Sequence, residues 1–213
     1  MKAGKIYNAI RLFPLVGIVF FVVFYVLAAD LYPGGSRAFP NKAGFDWWNS
    51  YWCNLTDHYA INGQINPGKP YALTGIIILC IALAHLFYLF PQYFKLRFPW
   101  NKIVIVSGVM ACATVLLIHT SLHDLMAILA SILGSFTVIA LFFGLRRQGW
   151  IHFIWTGCLC ILLVVTNGYI YFTENYIEYL PFIQKITFAA VLCWFGALNI
   201  TFGVEQRLNE LEK

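Results

Sequence analysis

The side chains able to do chemistry are concentrated in two short stretches. In VLLIHTSLHDLMAIL, Val115 to Leu129, an apolar run is interrupted by His119, Thr120, Ser121, His123 and Asp124. Ionisable groups in a hydrocarbon setting are expensive unless they are paired or used. Imidazole and carboxylate are common ligands for zinc-like divalent metals, and a His–Asp pair also suits acid–base work. His119, His123 and Asp124 are therefore candidate catalytic or metal-binding residues. The second stretch, GFDWWNSYWCNLTDHY, brings Asp57 and His58 as further candidate ligands. Asp46, Asn49, Asp57 and His58 together make a candidate polar pocket. The competing reading is that His119 and His123 are interfacial side chains hydrogen-bonded to loop groups, with no metal.

The elements that must position these residues follow from composition. The chain has 213 residues, 61% hydrophobic and 11% charged, with a mean hydropathy of +0.74. A soluble domain is closer to half apolar and a quarter charged, so the composition is that of an integral membrane protein. Apolar runs lie near 10–31, 71–91, 102–119, 122–145, 151–173 and 181–203. Each approaches the ~20 residues a helix needs to cross a bilayer, and helices satisfy their own backbone where no water is present. The expected fold is all-α: a single membrane domain over residues 1–213, a bundle of six transmembrane helices with a long first outer loop over residues 32–70.

Charge sets the expected orientation. With both termini in the cytoplasm, ten of the 14 Lys and Arg residues fall on the inner side, including Lys95, Arg97, Lys102, Arg146 and Arg147, as the positive-inside tendency favours. Only Arg37, Lys42, Lys69 and Lys185 fall outside. The basic balance is thus a topology signal that anionic lipid suffices to explain. It is no argument for nucleic acid, and membrane lipid is the expected partner.

Placing the histidines requires a turn. One helix from Lys102 to Arg146 would be roughly 65 Å long, about twice the hydrocarbon thickness. The chain must therefore reverse near His123. Ser121-Leu122-His123-Asp124 has capping-box spacing, with Ser121 as N-cap. In the outer loop, Phe45, Trp48, Trp52 and Leu55 share one face of a predicted amphipathic helix, and Asp46, Asn49, Ser50, Cys53 and Asp57 line the other. Trp47, Trp48 and Trp52 are the expected interface anchors. Small residues at Ala127, Ala130, Ser131, Gly134 and Ser135 predict close helix packing by the fourth span. Five of the six cysteines lie in spans, and Cys53 alone is in the outer loop, so no outer disulfide is expected.

The motifs YPGGS, GFDWWNSYWCNLTD, NGQINPGKPYAL and HTSLHDLMA resemble a bacterial six-span membrane family, domain of unknown function 998, over nearly the whole chain. That family is distantly similar to the Frag/DRAM/Sfk group, some of whose members are linked to lipid-anchor remodelling and autophagy. The resemblance implies the six-span topology, a bacterial cytoplasmic membrane and lipid handling, and supplies no catalytic residues. The residues and the resemblance together point to an outer-face polar pocket for lipid headgroups, with a zinc-like divalent metal as one option. As an enzyme, the protein would use His119 or His123 as ligand or general base on a lipid ester. The alternative is a non-catalytic scaffold, sensor or small-solute transporter.

Overall fold

The computed structural model describes residues 2–211, and side chains over residues 12–205. Lys213 and the side chains of Lys2, Lys5, Arg11 and Arg207, all assigned above to the inner side, lie outside those ranges.

The described residues are all-α, with six α-helices: α1 Lys2–Asp30, α2 Lys69–Tyr93, α3 Trp100–Leu116, α4 His123–Arg147, α5 Ile151–Thr173 and α6 Leu180–Leu211. Five are long and apolar enough to cross a membrane, and α3 is an apolar helix of 17 residues, about 25 Å long. Each helix packs on its neighbours in sequence and α6 returns to α1, closing the six into a ring. Residues 31–68, the α3–α4 turn and the α5–α6 connection gather at one end, here called the loop end.

The helices carry apolar residues on both their inner and outer faces, as lipid-embedded helices must. On α5, Trp155, Leu159, Leu162, Val165, Tyr169 and Phe172 recur at helical spacing and are all exposed. Such a stripe is unfavourable in water and suited to lipid. Inside the ring, Phe21, Leu86, Phe90, Leu141, Leu145 and Leu198 are fully buried. Buried and half-buried hydroxyls and amides pair across helices: Ser107 with Thr137 at 2.7 Å, and Asn167 Nδ2 donating to Thr187 Oγ1 at 2.6 Å. Interhelical pairs of this kind hold helices together where lipid gives no hydrophobic drive.

Close approach occurs at other glycines than the predicted ones. A Cβ at Gly17 would sit 2.3 Å from Ala82 Cβ, and one at Gly108 would meet the Phe87 ring at 2.4 Å. Gly134, in the small-residue stretch of α4, has no neighbour within 4 Å of that position. At Gly134, therefore, the helix leaves space where the sequence predicts contact.

Two local expectations are corrected. Ser121 does not cap α4: the helix begins at His123, follows Leu122 and has no side-chain cap. Thr120 shapes the turn, its hydroxyl donating to Leu117 O at 2.7 Å and accepting from Leu122 N at 3.3 Å. An ST-type bond of this sort satisfies the backbone locally and displaces the capping box.

Likewise, residues 45–57 form no continuous amphipathic helix, only a turn at Asp46–Ser50 and a 3-10 helix at Cys53–Thr56. The reason is tertiary. In a helix the Trp52 N–H would bond the carbonyl four residues earlier, but it donates to Gln184 Oε1 of α6 at 3.1 Å. Ser50 O is taken by Lys185 Nζ at 2.6 Å.

Candidate functional site

The site is built at the loop end, and a folded loop supplies part of it. Asp46 organises the first half of that loop. Its Oδ1 accepts from the backbone of Trp48 at 3.0 Å and Asn49 at 3.3 Å. Its Oδ2 accepts from Lys42 Nζ and Asn49 Nδ2, both at 2.8 Å. Burial pushes this carboxyl up, but the bonds from Lys42, Asn49 and the two backbone N–H groups outweigh it and hold it well below the usual range. Asp46 and Asn49 are therefore spent on the loop itself.

Asn66 organises the second half. Its amide donates to Leu55 O and Asp57 O, each at 3.1 Å, while its Oδ1 accepts from Gly68 N at 2.9 Å. Tyr32, two residues past the end of α1, accepts at its hydroxyl oxygen the N–H of Ile61 at 3.1 Å. Backbone groups that find no helix or strand partner must be satisfied this way when buried.

Aromatic packing then fixes the loop on the bundle. Trp52 lies against Phe21 and Tyr25 of α1 and Phe188 of α6, with ring centroids 5.1–6.1 Å apart. It anchors the loop to the core, a different task from the interface role the sequence suggests. Trp48 stacks on Phe182 at 4.4 Å and stays exposed, as does Trp47. Lys185 reaches from α6 to Ser50 O and Pro181 O, and its ammonium lies 5.6 Å from the Phe45 ring centre.

Against this support stands a three-residue cluster. His123 Nδ1 and Asp124 Oδ1 are 2.9 Å apart, and Tyr171 of α5 donates its hydroxyl to the same oxygen at 2.7 Å. The carboxylate fixes the proton on Nδ1 and leaves Nε2 as the nitrogen offered to a ligand. Asp57 lies within electrostatic reach of both His123 and Lys69. Its carboxyl is raised by burial, and the fields of His123, when that ring is protonated, and of Lys69 lower it without cancelling the rise. The Cys53 thiol is pushed up to about 11 by burial and by the Asp57 charge. That makes it a poor nucleophile near neutral pH, since the thiolate is the reactive form.

The predicted residues thus divide. His123 and Asp124 come together, with Asp57 nearby. His119 is exposed on the turn, and His58 packs edge-on against Tyr59 at 4.7 Å. Among the described residues, no group of three or more His, Cys, Asp and Glu is arranged to hold a metal ion. His119 lies on the turn between α3 and α4, whereas His123 opens α4. Tyr171 and Gln184 were missed by sequence reasoning. A tyrosine and an amide at span ends are ordinary interface residues, and nothing in their spacing refers to Asp124 or Trp52.

Below the cluster, the faces of α4 and α5 that carry Asp124 and Tyr171 present small residues. Ser131 and Ser135 lie on the same helical face as Asp124, seven and eleven residues on. Gly168 lies one turn before Tyr171, and a Cβ there would meet nothing within 4 Å. Further down, α4 and α5 close up, where Gly157 abuts Phe142 and Trp194. In comparisons with known proteins, no family model, no curated protein and no solved structure matches this chain.

Proposed function

We propose that this is a six-span membrane protein with cytoplasmic termini whose loop end binds the polar headgroup of a membrane lipid. The observation that carries the reading is the His123–Asp124–Tyr171 cluster, exposed at a helix end above small residues on α4 and α5. Carboxylates of Asp124 and Asp57 accept hydrogen bonds, and His123 Nε2 and the Tyr171 oxygen add further polar contacts. The set suits a headgroup rich in N–H or O–H donors, such as an ethanolamine. Small residues below it leave room for an acyl chain.

The neighbouring Cys53 thiol is held protonated, which disfavours it as a nucleophile. A metal has no three-residue ligand set among the described residues, so it forms no part of the proposal. The six-span count treats α3 as a crossing helix, which its apolar sequence and its packing between α2 and α4 support.

The test uses the full chain in nanodiscs or detergent, with native mass spectrometry of bound lipid. Wild type is expected to retain phosphatidylethanolamine in preference to phosphatidylcholine, and Asp124→Asn/Tyr171→Phe to lose that preference while remaining folded. Equal retention by the two proteins would overturn the reading.

A further inference from the structure

At the end away from the loops a pocket of about 460 Å³ opens between the α2–α3 connection and the last turn of α4. Three guanidinium groups line it, Arg97, Arg146 and Arg147, together with Phe98, Trp100 and Phe143. Trp100 and Phe143 are stacked, with centroids 3.7 Å apart and planes at 21°. Arg147 Nη1 donates to Lys95 O at 3.2 Å, which holds that guanidinium at the pocket rim.

Among the described residues no carboxylate forms an ion pair with these arginines. Among the described residues the ion pairs are Lys42–Asp46 and His123–Asp124, both at the loop end. Glu205, on α6 at this end, accepts the Tyr93 hydroxyl. Like charges gathered together repel one another, and arginine forks match phosphate oxygens bidentately.

The pocket continues into an apolar track. Phe143, Ile139, Phe136 and Ile132 of α4 recur at steps of four, three and four residues, and all are exposed. Val106 and Met110 of the adjacent α3 are exposed as well. A soluble anion would use the arginines and ignore that track, whereas a lipid would use both.

We propose that this pocket binds the phosphate of an anionic phospholipid, with an acyl chain lying along the α3–α4 stripe. Arg97 and Arg146 grip the phosphate, Arg147 adds charge from its fixed position, and the stacked Trp100–Phe143 pair supports the glycerol end. Basic pockets between membrane helices bind anionic headgroups in this way. The site is separate from the loop-end cluster and does not depend on it.

The experiment titrates the purified full chain in detergent with dioctanoyl phosphatidylglycerol, dioctanoyl phosphatidylcholine and glycerol 3-phosphate, reading bound lipid by native mass spectrometry. Phosphatidylglycerol is expected to bind at least about tenfold more weakly to Arg97→Gln/Arg146→Gln than to wild type. Arg37→Gln, which removes one charge at the loop end, leaves that binding unchanged. Arg97→Gln alone, on an exposed connection, gives the same direction should the double variant fold poorly. Wild-type affinity in the pocket variants overturns the proposal, and so does equal binding of phosphatidylcholine. Displacement of the lipid by equimolar glycerol 3-phosphate overturns the lipid assignment and leaves a site for soluble phosphate.

Discussion

Tyr171, two residues before the end of α5, donates its hydroxyl to Asp124 Oδ1 in the first turn of α4 at 2.7 Å. One carboxylate oxygen thereby serves two partners, since His123 Nδ1 approaches it at 2.9 Å. Removing the tyrosine hydroxyl takes away one exposed hydrogen bond. Tyr171→Phe is expected to lower stability by no more than about 1 kcal/mol. Thermal unfolding in detergent should therefore barely move, while retention of phosphatidylethanolamine falls. A large loss of stability with unchanged lipid retention would mark the bond as purely structural.

The open space at Gly168 gives a prediction of the opposite kind. Gly168→Leu adds bulk where a Cβ meets nothing within 4 Å, and leucine favours helix over glycine by about 0.8 kcal/mol. The variant is expected to be at least as stable as wild type, yet to bind lipid more weakly at the loop end. Melting temperature and bound lipid, measured on one preparation, separate the two effects.

Asp46 makes loop order depend on pH. Its folded carboxyl is held below the ordinary value, so folding favours the ionised form. The contribution is complete above an unfolded value of about 4 and is lost as pH falls below that, through the folded value. Tryptophan fluorescence from Trp47, Trp48 and Trp52 should report loosening of the loop only in acid for wild type. Asp46→Asn should show the loosened signal at neutral pH and no acid step.

Asn66 closes the loop through three short contacts, two donated and one accepted. Asn66→Ala leaves the carbonyls of Leu55 and Asp57 and the Gly68 N–H without those partners, at a cost of about 2 kcal/mol. Hydrogen exchange over residues 54–68 should quicken, while α2 and α3 keep their protection. Unchanged exchange in the loop would show that the backbone bonds suffice without the side chain.

Within the bundle, Ser107 and Thr137 share a buried hydroxyl bond at 2.7 Å. Each also donates to or lies near its own helix backbone, Ser107 to Ile103 O at 2.6 Å and Thr137 to Leu133 O at 2.9 Å. The coupling between them is expected near 0.6 kcal/mol and below about 1.7 kcal/mol. A double-mutant cycle with Ser107→Ala and Thr137→Val in detergent measures it directly.

Much of the architecture follows from sequence alone, because lipid imposes one-dimensional rules. The lengths of the apolar runs fix an all-α chain, and observed helices follow most of the predicted runs closely. The predicted run 102–119 ends instead at Leu116, since Thr120 turns the chain with a hydroxyl bond that no hydropathy pattern records. His123 and Asp124 are legible as a pair because they are adjacent in sequence, and their neighbourhood is polar within an apolar stretch.

What only the tertiary structure decided is which polar groups are spent and which are offered. Asp46 and Asn49 look as available in the sequence as Asp57, yet four bonds consume Asp46 within its own loop. The helical periodicity of residues 45–57 is real, but Gln184 and Lys185 take the backbone groups that a helix would need. Tyr171 reaches Asp124 across 47 residues, and Arg97 joins Arg146 only because α2–α3 and α4 end side by side. Hydropathy is a local sum along the chain. Hydrogen-bond competition and charge clustering depend on distances in space, which only the packed ring of helices sets.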